Sequence, residues 1–195
     1  YVGTHGMAHG LSNVLQAATH LRKNDSVKFL FVGDGAERVD LIAEARAENL
    51  GNVKFVESQP REKVPSIWSV CDIALVHLRD SEVFSEVIPS KIFEAMAMGL
   101  PILLVTPKGI ASDIVLSTRS GLWVAAEQPE KLAEISAALV GRKRLLSLLS
   151  RNGAGASGSF SRQRQAEDML QILEIASAGW GPRAGVASDT QSYAR

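Results

Sequence analysis

Short apolar runs alternate with amphipathic stretches over residues 1–125. The runs are rich in β-branched and aliphatic residues, which predicts strands at 27–32, 52–56, 72–76, 101–105 and 121–124. Several of the stretches between them space their apolar residues three or four positions apart, which predicts helices at 36–49, 61–70 and 89–98. Strands that alternate with helices predict βαβ units and a Rossmann-like parallel sheet with helices on both faces.

Beyond Pro129 the pattern is purely helical. Residues 130–149 and 161–176 carry apolar residues at helical spacing, and the small residues at 152–159 are expected to interrupt the helices. From Trp180 onward the periodicity disappears. We therefore expect one α/β domain over residues 1–178, ending in helices, and a disordered tail over residues 179–195.

The composition excludes several classes of protein. The chain has 195 residues, enough for one well-buried domain, and its 21 Lys and Arg balance its 21 Asp and Glu. It therefore lacks the overall basic field that would bind nucleic acid or an anionic membrane. No apolar stretch approaches the roughly 20 residues that cross a bilayer. The single Cys71 cannot form an internal disulfide, which favours a reduced, cytoplasmic compartment.

The chain opens on Tyr1-Val2-Gly3, a strand-like pair that runs into a glycine turn. This start has no feature of a signal peptide. We expect the chain to be one domain taken from a longer protein.

In open α/β sheets, ligands bind in the loops at the carboxyl ends of the strands. The first such loop, residues 3–10, has glycines, including Gly6, that would let a phosphate approach the backbone. An ordinary tight turn explains the same glycines equally well. Gly33-Asp34-Gly35 is better explained as a plain strand-to-helix turn. The third region, residues 85–102, is the most informative.

A predicted helix in this region begins near Pro89, which suits a first helical turn. Ser90 and Lys91 then lie beside free backbone N–H donors, where a lysine is unfavourable unless an anion lies in front of it. Glu94 follows some 5 to 8 Å behind the first turn, where its carboxylate can accept two ribose hydroxyls. Glu86, in the preceding loop, reaches further out, toward a sugar. For isolated glutamates, solvated surface charge is the alternative explanation.

The segment from Glu86 to Pro101 resembles the donor-site signature of family 4 glycosyltransferases of the GT-B fold. In that signature two glutamates separated by seven residues precede a short Ala/Met run, a Gly and a Pro, and here Glu86 and Glu94 precede Ala95-Met96-Ala97-Met98-Gly99-Leu100-Pro101. The variant Ile88-Pro89-Ser90-Lys91-Ile92-Phe93-Glu94 is especially similar to bacterial members that build surface polysaccharides, such as lipopolysaccharide.

The resemblance extends over about residues 1–178. Tyr1–Gly6 resembles the family's first strand and loop, and Phe31–Gly35 its second strand and turn. Asn52–Val56 is similar to the strand whose following loop usually contacts the base. Phe160–Arg162 resembles the start of a helix that crosses back to the partner domain. The resemblance implies that the chain is the donor-binding half of a GT-B glycosyltransferase.

The family implies retaining transfer of a sugar from a nucleoside diphosphate donor, with UDP as our choice of nucleotide, and no required metal or other cofactor. By resemblance, Glu94 would hold the ribose hydroxyls and Glu86 the hydroxyls of the sugar. Ser90 and Lys91, with the backbone at Gly6 and Pro89, would bind the diphosphate. Glu86 and Lys91 would then be the catalytic residues, because Lys91 stabilises the charge that builds on the departing phosphate.

The resemblance also implies partners that this chain does not contain. These are the enzyme's own N-terminal domain and a glycan or lipid-linked acceptor. The full-length protein is expected in the cytoplasm, peripheral at the inner face of the membrane. We predict that this chain alone binds a nucleotide weakly and turns over nothing.

The first loop departs from the family. Many members carry an Arg and a Lys in or just after it, whereas this chain has His5-Gly6-Met7-Ala8-His9-Gly10. Either Lys91 neutralises a larger share of the diphosphate's charge, or the N-terminal domain contributes to binding the diphosphate. His5 and His9 are equally explained as hydrogen-bond donors or as structural residues, and His77 is a further candidate to face the site. No residues have metal-ligand spacing.

Two other functions stay open at this point. One is a nucleotide-sugar epimerase of GT-B architecture, and the other is a non-catalytic α/β binding module. Because fold alone does not give function, the choice of a glycosyltransferase depends on residues 86–101.

Overall fold

The computed structural model describes residues 1–178, which fall into two compact units: Tyr1–Gly158 and a second unit that begins at Ser159. The first unit contains five strands, and every pairing between them is parallel. They are β1 (Phe29–Val32), β2 (Val53–Val56), β3 (Ala74–His77), β4 (Ile102–Thr106) and β5 (Gly121–Ala125). The hydrophobic runs predicted all five, so the α/β fold class is confirmed.

The strands pair in two groups. β1 pairs with β2, and β4 lies between β3 and β5. Residues 1–3 extend the first group beside β1, because Val2 bridges to Val32 and the Gly3 N–H donates to the Val32 carbonyl. The loops after β1, β3 and β4 lie at the same edge. The first loop contacts both the turn after β1 and Arg79 after β3, and Gly109 after β4 contacts Ser85.

A helix follows each of the five strands along the chain, one more precedes β1, and a further one comes after the helix that follows β5. In the first unit these are α1 (Leu11–His20), α2 (Arg38–Ala47), α3 (Val64–Trp68), α4 (Lys91–Ala97), α5 (Ile110–Ser117), α6 (Pro129–Leu139) and α7 (Lys143–Ser157). Short 3₁₀ turns lie at Met7–His9, Arg61–Lys63, Glu82–Glu86 and Gly158–Phe160.

Both faces of the central strand β4 are buried, as its apolar run predicts, whereas β2 is only partly buried. Leu103 and Val105 of β4 belong to the core that α1, α2 and α6 share with β1. Successive strand residues point to opposite faces, so Ile102 and Leu104 lie on the other side, where they are equally buried. α4 and α7 pack against each other, as do α1 and α6.

Two helical stretches differ from the sequence prediction. α5 has too short an apolar pattern to stand out, and its first turn is closed by Ser112, whose hydroxyl accepts from the Gly109 N–H at 2.9 Å. α7 runs through 152–157, where small residues were expected to break it. The predicted helix at 130–149 is instead divided between α6 and α7, and Gly141 at the junction has a φ of 74°.

The second unit contains α8 (Arg162–Ala178), which carries exposed apolar side chains. These are Met169, Leu170, Ile172, Leu173 and Ile175. Residues 179–195, for which the sequence predicts a disordered tail, lie outside the described residues. Among the helices of residues 1–178, none combines the length and apolar character that a membrane span needs.

Candidate functional site

The first loop, residues 3–10, lies at the carboxyl end of the sheet and is held there by the turn after β1. The His5 N–H donates to the Asp34 carbonyl at 2.8 Å. A side chain on Gly33 would collide with the carbonyl of Gly3, and one on Gly35 would lie 2.5 Å from the carbonyl oxygen of His5. The glycines at 33 and 35 therefore serve this backbone packing, in line with the plain turn that the sequence favours.

α4 places Lys91 against the first loop. Ile92, Ala95 and Met96 anchor the buried side of the helix. The Lys91 side chain runs back to fill the space beside the Gly3 backbone, and its Nζ lies 5.2 Å from the centre of the Tyr1 ring. Within residues 1–178 the ammonium group has no carboxylate within salt-bridge distance.

The electrostatic setting of Lys91 suits an anion. Burial lowers the pKa of its ammonium group, and the nearby Glu94 carboxylate only partly opposes this shift. A cation that has lost water without gaining an ion pair interacts strongly with an incoming negative charge.

Ser90 and Lys91 lie at the start of α4, as the sequence predicts. Glu94 lies in the first turn rather than behind it, because the helix begins at Lys91 and not near Pro89. The Ser90 hydroxyl donates to Glu94 Oε1 at 3.4 Å, and both side chains are exposed. Pro89 is buried and lies two residues before the helix begins, outside the first helical turn that the sequence predicts for it. The exposed carboxylate of Glu94 is therefore free to accept hydroxyl groups from a ligand in front of the helix.

Glu86 lies apart from this group, at the end of the 3₁₀ turn Glu82–Glu86. Its exposed carboxylate accepts a hydrogen bond of 3.4 Å from the Ser85 hydroxyl, which also reaches the Glu82 carbonyl at 2.7 Å. The turn rests on the loop between β4 and α5, since a side chain on Gly109 would collide with the Ser85 carbonyl. Among the described residues no hydrogen bond joins Glu86 to Lys91 or Glu94.

Gly6 precedes the 3₁₀ turn Met7–His9. Its φ is −115°, and a Cβ there would meet only Thr4 Cγ2, at 3.5 Å. Neither backbone conformation nor space requires a glycine at this position. Its contact with a phosphate therefore stays a prediction.

Two histidines tie the first loop to the end of β3. His77 Nδ1 donates to the His9 carbonyl at 2.7 Å, and His9 Nδ1 donates to the His77 carbonyl at 3.3 Å. Burial lowers the pKa of His77 to about 4, so the ring is neutral at pH 7. The expectation that His77 faces the ligand is wrong, because the ring is buried under the loop.

A cavity of about 220 Å³ opens between the first loop and the end of β2. Gly3, Thr4 and Asp34 line one side, and Ser58 and Gln59 the other. Within residues 1–178 no three His, Cys, Asp or Glu side chains cluster as a metal site would require. The expectation of a metal-independent site remains a prediction.

Known proteins share both the sequence and the fold of this chain. The family model "Glycosyl transferases group 1" matches residues 1–154. The protein named "Probable glycosyltransferase WbjE" of Pseudomonas aeruginosa is 31% identical over 136 residues, which cover 69% of this chain and 34% of WbjE.

Two solved structures superpose on the fold. The complex of Anabaena HepE with UDP-glucose gives a TM-score of 0.72 at 20% identity, over 91% of this chain and 48% of HepE. WaaG, a glycosyltransferase involved in lipopolysaccharide biosynthesis, gives 0.63 at 19% identity, over 81% of this chain and 42% of WaaG. The chain thus spans about a third of WbjE and about half of HepE. With one family model matching most of its length and GT-B glycosyltransferases sharing its fold, the chain belongs to the group 1 glycosyl transferases.

Proposed function

We propose that the protein transfers a sugar from a UDP-sugar to a glycan or lipid-linked acceptor, with retention of configuration, and that this chain binds the donor. The observation that supports this most is the contact between α4 and the first loop. In this contact the Lys91 side chain, partly desolvated and without an ion pair among the described residues, lies beside the backbone of Gly3. The exposed Glu94 carboxylate lies on the same helix.

Each residue at the start of α4 has a role in the proposed complex. Glu94 accepts the two ribose hydroxyls, and Ser90 and Lys91 bind the diphosphate together with the backbone at Gly6 and Pro89. Glu86 accepts hydroxyls of the sugar. HepE, which shares the fold, is known in complex with UDP-glucose, and this favours UDP as the nucleotide.

The chemistry proposed for this half is stabilisation of the leaving group. The bond between the anomeric carbon and the phosphate oxygen breaks, and the acceptor hydroxyl forms the new bond and releases its proton. Negative charge builds on the departing UDP, where Lys91 and backbone N–H groups stabilise it. Such a step needs no nucleophile from this chain.

We also propose that the whole protein works in the cytoplasm, at the inner face of the membrane, with an N-terminal domain forming the other wall of the cleft. WaaG and its role in lipopolysaccharide biosynthesis support a membrane-linked acceptor. The balanced charge of the chain gives it no general attraction to anionic lipid. Membrane attachment would then depend on other parts of the protein.

The donor site is tested by calorimetric titration of the chain with UDP, GDP and NAD. We expect UDP to bind best. Glu94→Ala should weaken it about ten- to a hundredfold, because hydrogen bonds to a charged group are worth about 1.5–3 kcal/mol each. Asp25→Ala, at an exposed carboxylate in the turn before β1 and so at the amino end of the strands, is the control and should leave the affinity unchanged.

The other results are equally informative. Tighter binding of GDP than of UDP would contradict the choice of UDP as the nucleotide but support the donor site. An affinity for UDP that does not change in Glu94→Ala would contradict the assignment of the ribose contact. No binding of UDP or GDP at millimolar concentration would contradict the proposal that this chain holds the donor.

A further inference from the structure

The first loop has no strong cation of its own, although a diphosphate would need one there. Its ionisable side chains are His5 and His9, and burial lowers the pKa of both rings, that of His5 to about 4. Both rings are therefore uncharged at pH 7. Lys91 brings one positive charge to the Gly3 end of the loop.

A second cation lies at the opposite end of the loop. The Arg79 N–H donates to the Ala8 carbonyl at 3.0 Å, which continues the contact that His9 and His77 make between the loop and β3. The Arg79 side chain then crosses Gly10, where an added Cβ would lie 2.8 Å from Arg79 Cγ. Gly10 has a φ of 53°, so both its conformation and this contact favour glycine.

Lys91 and Arg79 flank one continuous group of residues. The Tyr1 ring lies 5.2 Å from Lys91 Nζ and 5.7 Å from the ring of His9. Arg79 lies against Gly10, the next residue along the loop.

The guanidinium group of Arg79 is available to a ligand. The residue is exposed, and its guanidinium group makes no hydrogen bond or salt bridge with any other described residue. Of the nearest acidic residues, Glu127 accepts from the backbone N–H of Asp80 at 3.4 Å, and neither carboxylate pairs with Arg79. A planar guanidinium group can bind two phosphate oxygens at once.

We propose that Arg79 is the second cation of the donor site and binds the diphosphate together with Lys91. This inference rests on the proposed function, because it presumes that a nucleoside diphosphate lies over the first loop. Arg79 would supply, from the loop after β3, the positive charge that the first loop lacks. The two cations would then hold the diphosphate from the two ends of the loop.

The test compares UDP with uridine, which has the same base and ribose but no phosphate. Arg79→Gln should lower the affinity for UDP about tenfold or more, as expected for the loss of charge-assisted hydrogen bonds. The affinity for uridine in NMR titrations should not change. Arg79→Lys should recover part of the affinity for UDP, because it keeps the charge and loses the paired geometry. Arg46→Gln, an exposed arginine on α2, makes the same change in net charge and should have no effect.

The outcomes separate this inference from the proposed function. In one outcome, Arg79→Gln folds normally by circular dichroism and binds UDP like wild type, while Glu94→Ala lowers the affinity for UDP. That result would contradict the role of Arg79 and support the donor site. An equal loss of affinity for UDP and for uridine would also contradict a contact between Arg79 and the phosphates. If wild type binds no UDP, both proposals fail.

Discussion

His5 is a polar side chain in an apolar place. Its ring lies between 6.0 and 6.2 Å from the rings of Tyr1, Phe31 and Phe55. Neither ring nitrogen has a hydrogen-bond partner among the described residues. Burying a polar group without a partner costs free energy, so His5 reduces the stability of the fold.

Replacing this ring by an apolar side chain should therefore stabilise the protein. We expect His5→Leu to raise the free energy of unfolding in urea by about 1–2 kcal/mol at pH 7, since an unpaired buried polar group costs about that much. His20→Leu, at an exposed histidine, is the control and should change it little. A loss of stability in His5→Leu would show that the ring has a favourable partner.

The buried histidines also predict how stability depends on pH. Burial lowers the pKa of His5 and His77 from 6.5 to about 4. Between these values the unfolded chain binds protons that the folded protein does not, so the free energy of unfolding falls as the pH falls from 6.5 to 4. Each ring contributes about 2 kcal/mol to the fall between pH 7 and 4.5.

Urea unfolding at pH 7 and 4.5 measures this dependence. His5→Leu should reduce the fall by about the share of one ring, which is about 2 kcal/mol. The contribution of the carboxylates to this fall is the same in both proteins, so it cancels in the comparison between them. An equal fall in wild type and His5→Leu would mean that His5 is already protonated or solvated in the folded state.

Local signals in the sequence located part of the site. Pro89 and the Ala/Met run indicated roughly where α4 begins and ends, which placed Ser90 and Lys91 at its start and Glu94 behind them on the same helix. The contacts of His77 and Arg79 with the first loop had no such signal, because they join segments far apart in the chain. Such contacts depend on which strands are neighbours, and short-range spacing does not contain that information.

At the scale of elements, α7 supports the helix that carries the site. Ser150 donates to the Gly99 carbonyl just after α4, and Asn152 donates to the Arg119 carbonyl before β5 at 3.1 Å. Gly153 lets the two helices approach, since a Cβ there would lie 3.3 Å from Ser120 Cβ and 3.7 Å from the Met96 backbone. The glycine that suggested a break in the helix is thus a packing residue.

Two glycines on this helix make a matched pair for mutation. Gly153→Leu should lower the free energy of unfolding by about 1–3 kcal/mol, because the larger side chain forces α7 away from α4. Gly155→Leu should raise it by about 0.5–1 kcal/mol, because the site is open and leucine favours the helix. Urea unfolding measures both. Equal effects of the two substitutions would contradict the close packing at Gly153.

Elements with a clear hydrophobic pattern in the sequence were predictable. Elements that depend on tertiary packing were not. The apolar runs of β1 to β5 indicate strands because both faces of a parallel sheet are buried. α5 and the last turns of α7 have weak local preference, and their helices are set by contacts with β4, β5 and α4. Packing of this kind overrides helix propensity.

At the scale of the whole molecule, the chain has five parallel strands in its first unit but only a share of the length of its relatives. It spans 34% of WbjE, and membership of the group 1 glycosyl transferases favours transfer over epimerisation. The residues proposed to bind the donor all lie at one edge of the first unit. The other wall of the cleft is proposed to belong to an N-terminal domain, which these residues do not include.

We therefore expect this chain to bind UDP without catalysing transfer. Incubation with UDP-glucose and UDP-N-acetylglucosamine, with and without glycan acceptors, should release no UDP above a protein-free blank. The control is UDP binding by the same preparation, which shows that the donor site is folded. Release of UDP that is lost in Lys91→Ala would contradict this expectation and place the whole reaction in this chain.

The contact between Gly109 and Ser85 has a consequence for how enzymes of this kind diverge. The turn that presents Glu86 leans on a loop outside the segment 86–101, and only the absence of a side chain at 109 lets the two backbones meet. A lineage that acquires a side chain there must move the turn, and the carboxylate moves with it. With Glu86 in its proposed contact with the sugar, preference for one sugar over another can thus drift in evolution while the signature motif stays intact. Efforts to re-engineer the donor should therefore include the loop at 107–109 in their libraries.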